Sequence, residues 1–239
     1  MKDQTTRNHR RLAQWLGDPP EEATTEIRIE DYDHVAFDLD GVLVDSEAVI
    51  ESALRRWARE EQMCPDHVIR MSASRRDVDL VASVACDLSP EREAARIANF
   101  EIQAMGLLQP VQGAAEFYGS IPDARKSIVT SSARASAFAR LATAGISRPR
   151  IMIAAEDVSQ GKPHPQPYEM LLRMLGISAR RCLVFEDSPT GIEAAIAAGC
   201  DCIGVGLHAR GHRGIKGWIE NFRKISLLSS HAERASQIK

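Results

Sequence analysis

The sequence predicts a doubly wound, Rossmann-like α/β core on a parallel sheet, interrupted after its first strand by an inserted α-helical cap. Three observations carry this expectation. Short apolar runs alternate with helical patterns after about residue 113, four strand ends in the chain carry polar residues, and the first apolar run is separated from the others by roughly 60 residues of helical pattern.

The first element is HVAFDLD (34–40), an apolar run ending in acidic residues and Gly41, as a buried strand entering a loop does. From Glu47 to about Met105, Ala, Leu, Val and Ile recur at three- and four-residue spacings in SEAVIESALRRWAREEQM, RRDVDLVASVACDL and SPEREAARIANFEIQAM. Ser89 and Pro90 open the last of these as N-cap and first-turn residues. The remainder alternates: KSIVTSS, the helix RASAFARLATAG, RIMIAA, the helix PQPYEMLLRMLG, RCLVFED, the helix PTGIEAAIAAG, then CDCIGVG. That order indicates parallel strands joined by covering helices. The expected division is a core of 31–46 and 113–239, a helical cap of 47–112, and a flexible N-terminal extension of 1–30 with at most one short helix around Leu12 to Leu16.

Composition narrows the class. At 239 residues, 44% hydrophobic and 26% charged, the chain can bury a full-sized core, and its net charge of -3 gives no electrostatic case for nucleic acid or an anionic membrane surface. The five cysteines, Cys64, Cys86, Cys182, Cys200 and Cys202, contain no CxxC pair and read as buried free thiols of a reducing compartment. With no apolar run long enough for a signal peptide or membrane span, a cytoplasmic location is expected.

In an open α/β sheet the binding crevice lies outside the carboxyl ends of the strands. The polar strand ends are Asp38, Asp40 and Gly41 in FDLDGVLVDSE; Thr130, Ser131 and Ser132 in SIVTSSA; Lys162 in QGKPHPQPY; and Glu186, Asp187 and Ser188 in VFEDSPTG. Alone, DLDG also reads as a solvated turn; the four-part set points to chemistry. Carboxylates at Asp38, Asp40, Glu186 and Asp187 converging on one crevice repel unless a cation neutralises them, and an all-oxygen site suits Mg2+. Lys162 supplies fixed positive charge, and the Thr130 hydroxyl and Ser131 N–H supply hydrogen bonds to phosphate oxygens. Asp38 is expected as an in-line nucleophile on phosphorus, with Asp40 as general acid and then base.

On these motifs residues from about 34 to 206 resemble the haloacid dehalogenase superfamily, in its phosphatase and phosphoglucomutase-like branch with a helical cap. The resemblance implies Asp38 as nucleophile, Asp40 as acid/base, Thr130 and Lys162 as phosphate-binding groups, and Asp187 as acidic metal ligand with Glu186 beside it and the Asp40 carbonyl completing the protein's share. SPTGIEAAIAAG after the acidic pair strengthens the match. Dehalogenase relatives lack an acidic residue at the place of Asp40, so halide displacement is not expected. Phosphoglucomutase relatives carry a cap histidine where SEAVIESAL has Ile50, and no histidine follows until His67, which weighs against a mutase. The cap is also similar to that of small sugar-phosphate and polyol-phosphate phosphatases, although Met71-Ser72 stands where those relatives often have His-Gly. The expected function is a Mg2+-dependent phosphatase acting through an aspartyl-phosphate on a small phosphate monoester, a phosphorylated carbohydrate or polyol; a phosphosugar mutase and a non-catalytic phosphometabolite-binding protein are the rival readings.

Other residues divide between two roles. Arg75 is either a bidentate substrate contact closing over the site or a solvated helix-start arginine. Arg134 either touches the non-reacting part of a substrate or caps its helix. Trp57 is expected inside the cap, His164 facing solvent, and His208 and His212 in a loop rather than a metal pair.

Overall fold

The computed structural model describes residues 28–72 and 75–224. The expected helix at Leu12 to Leu16 lies outside them. Strands β1 (His34–Phe37), β4 (Lys126–Val129), β5 (Met152–Ile153), β6 (Cys182–Glu186), β7 (Asp201–Val205) and β8 (Gly217–Ile219) form one parallel sheet in the order β5-β4-β1-β6-β7-β8. In register, Val35 of β1 lies opposite Lys126 on one side and Leu183 on the other. After its first strand the chain builds β4 and β5 outward, then returns across β1 to build β6, β7 and β8. The reversal leaves a crevice at the carboxyl end of β1.

The period of two along the strands decides which helices cover which face. Val35, Phe37, Leu183 and Phe185 point to one side, where α5 (Ala114–Ser120) and α6 (Arg134–Thr143) pack on them. Phe37 stacks on Phe185 at 5.2 Å, with the Phe117 ring edge-on to both. Ala36, Cys182 and Val184 point to the other side, against α7 (Gln166–Leu175) and α8 (Pro189–Ala197). Several features differ from expectation. RIMIAA pairs over two residues only, and β8 was not anticipated, because GWI is a short, half-exposed run without alternation. Ile29, placed by sequence in a flexible extension, is buried in the core, and its carbonyl accepts from Arg125 at 3.1 Å. Of the cysteines, Cys182, Cys200 and Cys202 are buried but Cys64 and Cys86 are exposed; all are free thiols.

Between β1 and β4 the chain passes through α1 (Glu47–Glu60), α2 (Pro65–Ser72), α3 (Asp77–Val84) and α4 (Pro90–Gln103). These four helices enclose an apolar core of their own around Trp57, Leu54, Val68, Leu80 and Ile97. Trp57 is fully buried there and its Nε1 donates to Glu93 Oε2 at 2.9 Å, so it packs inside the insert. The chain leaves and re-enters the core through a short antiparallel pair, β2 (Val44–Asp45) with β3 (Gln109–Pro110). Among the described residues no helix is long and apolar enough to cross a membrane.

Candidate active site

Asp38 is the first residue past β1, and its N–H donates to the Phe185 carbonyl at 2.9 Å, which continues the pairing with β6. The loop that follows is pinned by Leu39, which is fully buried and whose carbonyl accepts from Leu43 and Val44 at 2.9 and 3.1 Å. Gly41 turns the chain at φ +76. A Cβ there would stand 2.0 Å from Asp187 Oδ2, so only glycine lets the loop approach this carboxylate.

Lys162 reaches in from the loop after β5. Its Nζ lies 2.9 Å from Asp38 Oδ1, 2.5 Å from Glu186 Oε1 and 3.0 Å from the Val129 carbonyl. Glu186 ends β6 completely buried, accepts from Tyr168 Oη at 2.6 Å, and lies so close to the start of α8 that a Cβ on Gly191 would meet its carboxylate at 2.1 Å. Asp38, Glu186 and Asp187 each place an oxygen within 4.8 Å of the others.

Burial pushes the Asp38 carboxyl up, to about 7; Lys162 opposes this, and Glu186 and Asp40 add to it. Asp187 is also raised well above its ordinary value, by burial first and by Asp38 and Glu186 next. Lys162 is held charged by Asp38 and Glu186 despite burial, but a single ammonium among three clustered carboxylates leaves negative charge uncompensated. A hard cation fits this donor set of oxygens, and the close approach of Gly41 to Asp187 shapes its cradle.

Asp40 is placed differently. Its carboxylate accepts from Ser46 Oγ at 2.5 Å, Ser132 Oγ at 2.7 Å and Arg140 Nη1 at 2.9 Å, with Thr130 Oγ1 at 3.4 Å. Thr130 also accepts from the Ser132 N–H at 3.0 Å. The strand-end residues Asp38, Asp40, Thr130, Ser132, Lys162, Glu186 and Asp187 are thus brought to one crevice through direct contacts or clustered oxygens, and Ser131 lies between Thr130 and Ser132, half-buried. Arg134 is tied elsewhere: its side chain pairs with Asp157 and donates to the Met152 carbonyl, and its N–H is capped by Glu156. Arg75 is exposed. His164 faces solvent and its Nδ1 accepts from the Gln166 N–H at 3.1 Å; His208 belongs to a 3-10 turn, and His212 follows it in a loop.

Sequence reasoning missed Tyr168, Arg76 and Arg140. Arg76, beside the Arg75 it singled out, is buried; it pairs with Asp79 and donates to the carbonyls of Ala155, Val158 and Ser159. The signal for Arg140 was a charge on an apolar stripe, since it shares the buried face of α6 with Ser136, Ala137 and Leu141.

A parallel sheet with a buried, polar cluster at the carboxyl ends of its central strands defines an enzyme of the doubly wound α/β class. The sequence profile of the haloacid dehalogenase-like hydrolases matches residues 32–199, and the chain belongs to that family. Its relatives include hexitol phosphatase A of Escherichia coli, 32% identical over 178 residues covering 72% of this chain and 82% of that protein. Glycerol-1-phosphate phosphohydrolase 2 of Saccharomyces cerevisiae is 33% identical over 181 residues, 71% of this chain and 72% of that one. Among solved structures, CbbY from Rhodobacter sphaeroides in complex with phosphate matches with a TM-score of 0.69 over 80% of this chain and 95% of that one, at 19% identity, a likeness of fold.

Proposed function

We propose that the protein is a magnesium-dependent phosphatase of small phosphorylated polyols or carbohydrates that works through an aspartyl-phosphate on Asp38. The observation that carries this reading is the unequal setting of two carboxylates two residues apart. Asp38 faces Lys162 and the acidic cluster, whereas Asp40 is held among hydroxyls and a guanidinium. Two such environments suit two roles, nucleophile and proton carrier.

Asp38 attacks phosphorus in line while Lys162 and the Thr130–Ser132 loop receive the phosphoryl oxygens. Asp40 gives a proton to the departing alkoxide and then takes one from the water that opens the acyl phosphate. Asp38, Asp187 and the Asp40 main-chain carbonyl would hold Mg2+; Glu186, with one oxygen committed to Lys162 and Tyr168, orients the lysine behind them. The ion, when bound, offsets charge on the phosphoryl oxygens. The polyol preference is supported by the names of the two curated relatives, a hexitol and a glycerol phosphate phosphatase. Two enzyme readings separate on the acceptor, and the segment around Ile50 offers no histidine to deprotonate a sugar hydroxyl, which favours water over a sugar phosphate.

The test is phosphate release from sugar, polyol and two-carbon phosphates with and without Mg2+, comparing wild type with Asp38→Asn. Release that requires Mg2+ and disappears in the variant supports the proposal. Isomerisation without free phosphate would replace it with a mutase, and inertness toward every compound would overturn it.

A further inference from the structure

Arg140 has no solvent exposure, yet it lies on the apolar stripe of α6, where a hydrophobic residue of similar volume would be expected to stabilise the packing at least as well. Its surroundings are ionic. Nη1 donates to Asp40 Oδ2 at 2.9 Å and to Ser132 Oγ at 2.5 Å, and Nη2 lies 2.9 Å from Glu101 Oε1. Glu101 belongs to the last turn of α4 in the helical insert and is itself buried. Asp77, in the first turn of α3, has its carboxyl raised well above the ordinary value, by burial first and by Glu101 next, with the Arg140 guanidinium opposing them. One buried cation therefore joins the carboxylate of a core loop to a buried carboxylate of the insert.

We propose that Arg140 is a positioning residue for the general acid/base: its ion pair fixes where the Asp40 carboxylate stands, and Glu101 makes that placement depend on how the insert is seated on the core. The proposal rests on the reading of Asp40 as proton carrier. A plain stabilising role would serve any substrate equally. A role exerted through Asp40 is felt most where the leaving group needs a proton.

The experiment compares kcat/KM, which reports the steps up to phosphoenzyme formation, on two kinds of leaving group. One substrate is whichever of sorbitol 6-phosphate, glycerol 1-phosphate and 2-deoxyglucose 6-phosphate is cleaved best; the other is p-nitrophenyl phosphate, whose phenolate departs without protonation. Arg140→Met is expected to lower kcat/KM on the alkyl phosphate about 100-fold and on p-nitrophenyl phosphate by less than about tenfold, with part of the alkyl activity recovered in Arg140→Lys. Arg140→Met/Glu101→Met removes both buried charges and guards against misfolding; it should keep turnover of p-nitrophenyl phosphate and show the same selective loss. Equal losses on both substrates in either Arg140→Met variant would overturn the proposal. Asp40→Asn separates the two layers: a non-selective effect there sinks the acid/base reading itself, whereas selectivity in Asp40→Asn without selectivity at Arg140 sinks this inference alone.

Discussion

Gly41 and Asp187 approach each other so closely that the Asp187 carboxylate occupies the space a side chain on Gly41 would need, with a would-be Cβ 2.0 Å from Oδ2. The loop after β1 and the loop after β6 are therefore fitted together through a missing side chain. At φ +76 an alanine would add backbone strain of about 1–2 kcal/mol. Gly41→Ala is expected to displace Asp187, to raise the Mg2+ concentration needed for half-maximal activity by about tenfold or more, and to lower Tm. A variant with the wild-type Mg2+ response would show that Asp187 takes no part in holding the ion.

Asp38 makes stability depend on pH in a direction opposite to that of a salt-bridged surface carboxylate. Its folded value, raised to about 7 by burial, lies above its unfolded one, so the folded protein binds more protons between about 4 and 7. The stabilising contribution is fully present below the unfolded value and is lost as pH rises through about 7. In chelator-treated protein, Asp38→Asn should match wild type in Tm near pH 4 and exceed it at pH 8. Adding Mg2+ at pH 8 should close that gap by raising wild type alone, since the ion competes with the proton. A variant less stable than wild type at pH 8 without metal would contradict this account of Asp38.

Arg76 fastens the insert to the core. Its guanidinium, paired with Asp79, donates to three carbonyls in the segment 155–159, and a Cβ on Gly161 would stand 2.8 Å from its Nε, one residue before Lys162. Arg76→Ala leaves three carbonyls unserved and is expected to cost about 2–4 kcal/mol. Faster amide hydrogen exchange across 155–161 and about a tenfold fall in kcat/KM should accompany the loss. Unchanged exchange in that segment would mean that Arg76 does not hold the loop carrying Lys162.

The chain was readable wherever a local rule applies. Residues 34–40 announce a buried strand through a run of apolar side chains, Ser89-Pro90 announces a helix start, and Ser89 accepts from the Arg92 N–H as a cap should. The strand-end polar residues could be picked out because a parallel α/β sheet presents its carboxyl ends on one side. The Phe37–Phe185 stack and the pairing of β1 with β6 lie across nearly 150 residues, beyond the reach of any periodicity. β8 escaped notice because an edge strand of three residues needs no alternating pattern.

Asp38, Asp40, Thr130, Lys162, Glu186 and Asp187 could be named from order and spacing, because residue type and position at a strand end are local properties. Which partner each would meet was not local. Arg75 and Arg76 are equivalent letters in a row, and only the packing of the insert against 155–159 buries the second and leaves the first exposed. Arg140 and Glu101 lie on helices 39 residues apart, and although Arg140 breaks an apolar stripe, only the convergence of α4 and α6 makes the two a buried pair. A burial is a sum over neighbours from the whole chain, so the chemistry of a buried charge is decided only when those neighbours are brought together.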